Sequence, residues 1–423
     1  MMCGRTAALL LVLIAAAVVF AKDEPAGFTT QVAAARQKSV TNPWIKFSAS
    51  QPSPGASRAL RIALGRGLGV SIRVLTWGLA VCLSPFTIIE KMREGGKRAR
   101  SADNISVDGP RGSLTAIQVL VFRAMGARAG FNPDHVAPAL AANVADSITL
   151  QMATGGSLMP DFWGSRVLTR FYMNALVAAF KLSGRWVDFT TGHGTGSAIS
   201  WVYLHHSRTC FFDDVWLAFC AEHKEHSSLC ILGAGYDSRC YRLQQPGATY
   251  WEVDAPSSQR EKRRVLGKSG VPSKAIEAVN FVECDFSSES FAEKLQQQGF
   301  PRDVPACFLW EGVTYYLEKA RVLATLKQVA ALGPSGSVIA LDYFQPAHSS
   351  RTQTQYTAKA KRLGEAQVGF ITKEELASLI RDAGLRVVDH VTKNEGARYF
   401  EPLDLDLGAA GANYIGYLVA QVP

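Results

Sequence analysis

From Leu229 to the end of the chain, short apolar runs rich in β-branched residues alternate with stretches of helical spacing, and few architectures accommodate that alternation. Runs of this kind suit strands buried on both faces. Strands separated by helical stretches pair in parallel, because a parallel crossover needs a dozen or more residues. The expected strands are 229–235, 249–255, 279–285, 306–312, 337–343, 386–391 and 414–422. Pro256 suits the first turn of a helix over 257–266, and 317–332 has apolar residues at helical spacing. Thr372 and Glu375 form a capping box for a helix that Gly384 ends. The last two strands follow each other without a full helical crossover, which predicts an antiparallel final strand. Before the sheet, residues 113–227 read as mostly helical.

Four stretches on this frame carry chemistry. Leu232-Gly233-Ala234-Gly235-Tyr236-Asp237-Ser238-Arg239 lies at the carboxyl end of the first strand, where Gly233 and Gly235 remove side chains that would block a ligand's approach to the backbone. A nicotinamide-binding turn wants a third glycine at 238, and Ser238 stands there, which disfavours an NAD-dependent oxidoreductase. Nineteen residues after Gly235, Asp254 closes the second strand, where a carboxylate can accept hydrogen bonds from both ribose hydroxyls. Asp285, beside Phe286, ends the third run, and Glu311 ends the fourth, on the rim where open α/β sheets bind ligands. Two of these acids have a bland alternative. Asp254 could be a strand-end surface charge and Asp285 a turn cap.

These stretches, in order and at these spacings, resemble the leucine carboxyl methyltransferase family and its bacterial O-methyltransferase relatives. The resemblance runs over about 113–423 and rests on Leu232–Leu243, Trp251–Pro256, Trp310–Leu317, Gly336–Tyr343 and Gly369–Gly384, with Ser113–Ala116 and Arg208–Asp214 earlier. It implies a class I methyltransferase fold, a Rossmann-like seven-stranded sheet with helices on both faces and an N-terminal helical cap. It also implies S-adenosyl-L-methionine as cofactor. By position, Arg208 would clamp the methionine carboxylate, Gly233 and Gly235 would line the methionine portion, and Asp254 would hold ribose. Asp285 would contact adenine, and Glu311 would lie near the amino or sulfonium end. For Arg208 the alternative is an ordinary helix-surface salt bridge with Asp213 or Asp214. The resemblance favours O-methylation of a carboxylate, on a small acid or a protein C-terminal leucine. An ionised carboxylate needs no general base, so no catalytic residue is assigned. Tyr315, Tyr316 and Tyr343 are candidates for the acceptor pocket by location alone. A cofactor-binding module tethered at a membrane is the competing reading. Ala255, where relatives often carry Gln, and Ser238, where they usually carry Thr, are departures from the family pattern.

Charge argues against nucleic acid. Residues 1–110 hold 14 Lys+Arg against 6 Asp+Glu, whereas the remaining chain holds 31 against 30. The basic excess belongs to the extension, and a nearly neutral domain is a poor match for a phosphate backbone. The eight cysteines show no C-x-x-C spacing and several sit in apolar runs, so neither a disulfide framework nor a zinc site is expected. His223 and His226 read as a solvated helix end. Residues 1–21, apolar from 7 to 21 after Arg5, read as a secretory signal peptide or an anchor. Residues 22–110 read as a basic presequence and linker. No Asp or Glu occurs from Pro25 to Ile89, a composition similar to a transit peptide and consistent with a plastid-type organelle. The apolar run 68–89, interrupted by Arg73, is expected to meet a membrane, either as a span or at the interface. The expected domains are thus a helical cap over 111–227 and a cofactor-binding core over 228–423.

Overall fold

The computed structural model describes residues 113–130, 132–144, 173–175, 177–178, 201–223, 226–286, 288–346, 367–392 and 415–423. The expectations for 1–21, 22–110 and the run 68–89 lie outside these residues. Among the described residues, no helix is long and apolar enough to cross a membrane.

The described chain divides into two compact units, one drawn from 117–206 and the other from 113–116 and 207–423. The helices are α1 (Leu114–Ala129), α2 (Ala137–Val144), α3 (Trp201–Glu222), α4 (Arg239–Arg242), α5 (Pro256–Leu266), α6 (Ser273–Glu277), α7 (Phe291–Gln297), α8 (Lys319–Leu332) and α9 (Lys373–Asp382). In the first unit, Asp134 caps α2 by accepting from the Ala137 amide at 3.0 Å and pairs with buried Arg123 at 3.4 Å. The second unit takes in residues 207–222, which the sequence had assigned to the cap. The reason is aromatic: Phe211 stacks on Tyr417 at 4.9 Å, and the Trp216 indole donates to the Leu243 carbonyl at 3.0 Å.

The second unit is a seven-stranded sheet of β1 (Ser227–Leu232), β2 (Ala248–Asp254), β3 (Val279–Glu283), β4 (Ala306–Trp310), β5 (Val338–Phe344), β6 (Arg386–Thr392) and β7 (Ile415–Gln421). Their order is β3-β2-β1-β4-β5-β7-β6. The first five pair in parallel, and β7 runs antiparallel to both β5 and β6. That order, with its antiparallel last strand, is the class I methyltransferase arrangement of the Rossmann-like fold. Every residue of β1 and β4 is buried, as strands covered on both faces require. All seven expected runs are strands, with ends that differ from expectation by at most three residues. Pro256 opens α5, and α9 begins with the Thr372–Glu375 capping box. Gly384, at φ 79°, closes α9 with its amide bonded to the Arg381 carbonyl and the Leu385 amide bonded to the Ile380 carbonyl.

Side chains alternate across β5, so Asp342 and Tyr343 occupy opposite faces. Tyr343 joins the apolar core with Leu341, Trp310 and Leu418, and its hydroxyl meets His390 Nε2 at 2.7 Å. It lies opposite Gly416 on β7, where an added Cβ would sit 2.3 Å from the Tyr343 ring. Gly416→Ala therefore overpacks a fully buried ring. A loss of about 1–3 kcal/mol is expected, read as a fall in Tm of about 2–4 °C per kcal/mol. An unchanged Tm would refute this account of the glycine.

Candidate active site

The strand order reverses between β1 and β4, and open α/β sheets bind ligands outside the carboxyl ends of the strands at such a reversal. The chain makes a bare corner there. Gly233 and Gly235 adopt φ of 69° and 43°, in the left-handed region that favours glycine. A Cβ on Gly233 would lie 2.6 Å from Val313 Cγ2, so that glycine is also required by the packing of the β4 loop. The amides of Gly233 and Ala234 donate to the Val253 carbonyl at 2.8 and 3.2 Å, fastening the corner to β2.

Asp254 completes it. Its Oδ2 accepts from the Gly235 amide at 2.5 Å and its Oδ1 from the Ala255 amide at 2.7 Å. A carboxylate oxygen has two acceptor positions, so neither bond exhausts the oxygen that makes it. Burial raises the Asp254 carboxyl above its ordinary value, opposed by the two amides. Two residues earlier on the same strand, Glu252 is fully buried and pairs with Lys262 Nζ of α5 at 2.7 Å. Burial pushes the Glu252 carboxyl up to about 7 despite that partner. Gln259 of α5 donates to the carbonyls of Glu252 and Val282 at 2.7 and 3.0 Å, which seats α5 across β2 and β3.

At the ends of β4 and β5 lies a buried cluster of charges. Arg208 on α3 approaches Glu311 Oε1 through Nε at 2.9 Å, and its Nη1 donates to Asp342 Oδ2 at 3.2 Å and to the Tyr315 hydroxyl at 3.4 Å. The surface salt bridge offered as the alternative for Arg208 is not formed. Arg208 is buried, and Asp213 is taken instead by Arg239 Nε at 2.7 Å and by both terminal nitrogens of Arg242 at 2.5 and 2.7 Å. Asp342 also accepts from the Gly312 amide at 2.6 Å, and burial raises its carboxyl above the ordinary value against the pull of Arg208. Glu311 Oε2 accepts from Arg239 Nη1 at 2.7 Å.

The remaining sequence candidates divide. Tyr315 is buried next to Arg208, with its ring stacked on Phe344 at 4.0 Å, and half-buried Tyr316 contacts it at 4.7 Å. Tyr343 does not belong with them. It faces the opposite side of the sheet from Asp342 and is packed in the apolar core, so the structure does not bring it together with Tyr315 and Tyr316. Asp285 is exposed just past β3, at the strand end where the adenine contact is expected, and accepts from the Ser288 hydroxyl at 2.9 Å. Ser238 accepts from Arg242 Nε at 2.9 Å, which gives the hydroxyl at that position a structural use.

Residues 164–330 match the leucine carboxyl methyltransferase family. A relative from Mycolicibacterium gilvum, described as "Putative S-adenosyl-L-methionine-dependent methyltransferase", is 30% identical over 224 residues, which cover 49% of this chain and 71% of the relative. The chain belongs to the leucine carboxyl methyltransferase family. A second relative of the same description, from Mycolicibacterium vanbaalenii, is 31% identical over 157 residues, 37% of this chain and 50% of its own length. The chain thus spans from about half to 71% of the length of these two relatives. Among solved structures, the Synechocystis magnesium protoporphyrin IX methyltransferase is 13% identical, covering 54% of this chain and 90% of its own, with a TM-score of 0.34.

In this family member, sequence reasoning missed Asp342, Arg239, Asp213, Asp237 and Arg242 as parts of the site. Asp342 had a signal. It is an acid near the end of an apolar strand, as Asp254 and Glu311 are, and the same logic applied to Ala340-Leu341-Asp342 would have flagged it. Arg239 and Arg242 sit at helical spacing four and seven residues after Gly235, but nothing in the sequence there distinguishes a buried guanidinium from an exposed one. Among the described residues, no group of His, Cys, Asp and Glu could hold a metal ion, and the described cysteines are free thiols.

Proposed function

We propose that this chain transfers the methyl group of S-adenosyl-L-methionine to a carboxylate oxygen of an acid acceptor, either a small acid or a protein C-terminus ending in leucine. The carrying observation is the 2.5 Å bond between Gly235 and Asp254, which brings a side-chain-free backbone corner and a ribose-binding acid to one point. The residues fit the cofactor at both ends. Asp254 has acceptor capacity for ribose hydroxyls. Arg208 has no hydrogen bond on Nη2 among the described residues, which leaves part of its planar fork for an α-carboxylate. Glu311 supplies a carboxylate for an α-ammonium group, and Asp285 a rim acceptor for an exocyclic amine.

When bound, the cofactor supplies an electrophilic methyl group on a sulfonium. The chain's own residues position and shield. Arg208, Arg239 and Arg242 face four carboxylates, those of Asp213, Asp237, Glu311 and Asp342, so with all four ionised the cluster carries one net negative charge. That sign complements a cationic donor in a site where water screens poorly. The stacked rings of Tyr315 and Phe344 form an apolar wall beside Arg208. A carboxylate acceptor arrives ionised near neutral pH, so no side chain has to remove a proton, and rate enhancement comes from alignment and exclusion of water.

Calorimetry is expected to show binding of S-adenosylmethionine and S-adenosylhomocysteine and none of NAD. With tritiated methyl donor and extracted acceptors, the product is expected to release volatile tritiated methanol on mild alkali, as methyl esters do. Alkali-stable label would move the acceptor to nitrogen or a phenol. Binding with no transfer would favour the tethered binding module.

A further inference from the structure

Arg239 lies four residues after Gly235, and its side chain is fully buried. Its Nε donates to Asp213 Oδ1 at 2.7 Å, its Nη1 to Glu311 Oε2 at 2.7 Å, and its Nη2 to the Thr209 carbonyl at 3.2 Å. Nη1 also pairs with Asp237, whose other oxygen accepts from the Arg239 amide at 2.8 Å, and the guanidinium lies 5.4 Å from the Phe212 ring centre. One planar group therefore ties together the turn after β1, helix α3 and the end of β4. Those three elements carry Gly235, Arg208 and Glu311.

A cluster of buried ions is a poor way to gain stability, since well-packed apolar residues often serve as well or better. The fork geometry has a more specific consequence. Glu311 receives an aligned hydrogen bond from Arg239 Nη1, whereas the 2.9 Å approach of Arg208 Nε satisfies only the distance expected of an ion pair. The geometry points to Arg239 as a positioning residue that fixes the orientation of the Glu311 carboxylate for the amino-acid end of the cofactor. This rests on the cofactor reading above and adds to it the residue that orients one of its ligands. Lysine cannot replace Arg239 in this role. Its ammonium is a point charge with no planar fork, and it cannot hold Asp213, Glu311 and the Thr209 carbonyl at once.

The test compares S-adenosylhomocysteine with 5′-methylthioadenosine, which keeps the nucleoside and thioether but lacks the amino-acid portion. In Arg239→Lys, the Kd for S-adenosylhomocysteine is expected to rise about tenfold or more, the scale of one charge-assisted hydrogen bond. The Kd for methylthioadenosine should stay within about twofold. A structural role alone would weaken both ligands together, and that result would overturn the proposal. A double-mutant cycle with Glu311→Gln supplies the second readout. If Arg239 acts through Glu311, adding Arg239→Lys to Glu311→Gln costs little further affinity for S-adenosylhomocysteine, and fully additive losses would overturn the proposal. A wild-type chain that bound neither nucleoside would instead refute the cofactor reading itself.

Discussion

Asp254→Ala is expected to weaken S-adenosylmethionine binding by about a hundredfold or more while the chain still folds. Two hydrogen bonds from ribose hydroxyls to an ionised carboxylate are each worth about 1.5–3 kcal/mol, and alanine offers neither. The substitution also has a structural cost, because the amides of Gly235 and Ala255 lose their acceptor. Asp254 is half-buried, so water can replace part of that loss, and a fall in Tm of a few degrees is the scale expected. The two contributions separate by ligand choice. Wild type should prefer adenosine-based ligands over their 2′-deoxy counterparts, and Asp254→Ala should lose that preference along with the affinity. A variant that binds less tightly overall yet still discriminates the 2′-hydroxyl would show that Asp254 only braces the corner.

The sheet was legible in the sequence because its strands are buried on both faces. Each therefore reads as a continuous apolar run, such as Ala306–Trp310, with no polar face to confuse the period. Their ends were less legible. The corner residues Gly233 to Gly235 continue the run in composition, although the strand stops at Leu232, where backbone geometry and the bonds to Val253 take over. In the site, residues defined by their place along a strand were found: Asp254 and Glu311 end strands, and Gly233 and Gly235 follow one. The residues that were missed are defined by partners distant in the sequence. Arg239 is 26 residues from Asp213 and 72 from Glu311, and no local pattern reports such a pairing. Tyr343 is set apart from Tyr315 by a local rule that could have been applied. It adjoins Asp342 in a strand, so both cannot serve one face.

Arg208→Met, which keeps most of the side-chain length while removing the charge, is expected to cost about 3–5 kcal/mol of stability near neutral pH. Glu311 would retain Arg239, but Asp342 would be left buried with the Gly312 amide as the remaining donor to its carboxylate among the described residues. The pH dependence identifies which carboxylate is responsible. Asp342 already lies above the ordinary carboxylate value because burial outweighs Arg208 and the Gly312 amide, so between those two values the folded state binds more proton there than the unfolded chain does. Such a group makes stability fall as pH rises from the ordinary carboxylate value through the raised one. Without Arg208, the largest influence holding Asp342 down is gone, and the window extends further upward. Urea unfolding at about pH 7.5 and about pH 5.5 should therefore show the deficit of Arg208→Met shrinking at the lower pH. The mutation should also abolish the preference for S-adenosylhomocysteine over methylthioadenosine, because the α-carboxylate loses its clamp. A deficit independent of pH would mean that Asp342 is not the group left exposed to the loss. Unchanged discrimination between the two ligands would remove Arg208 from the cofactor site altogether.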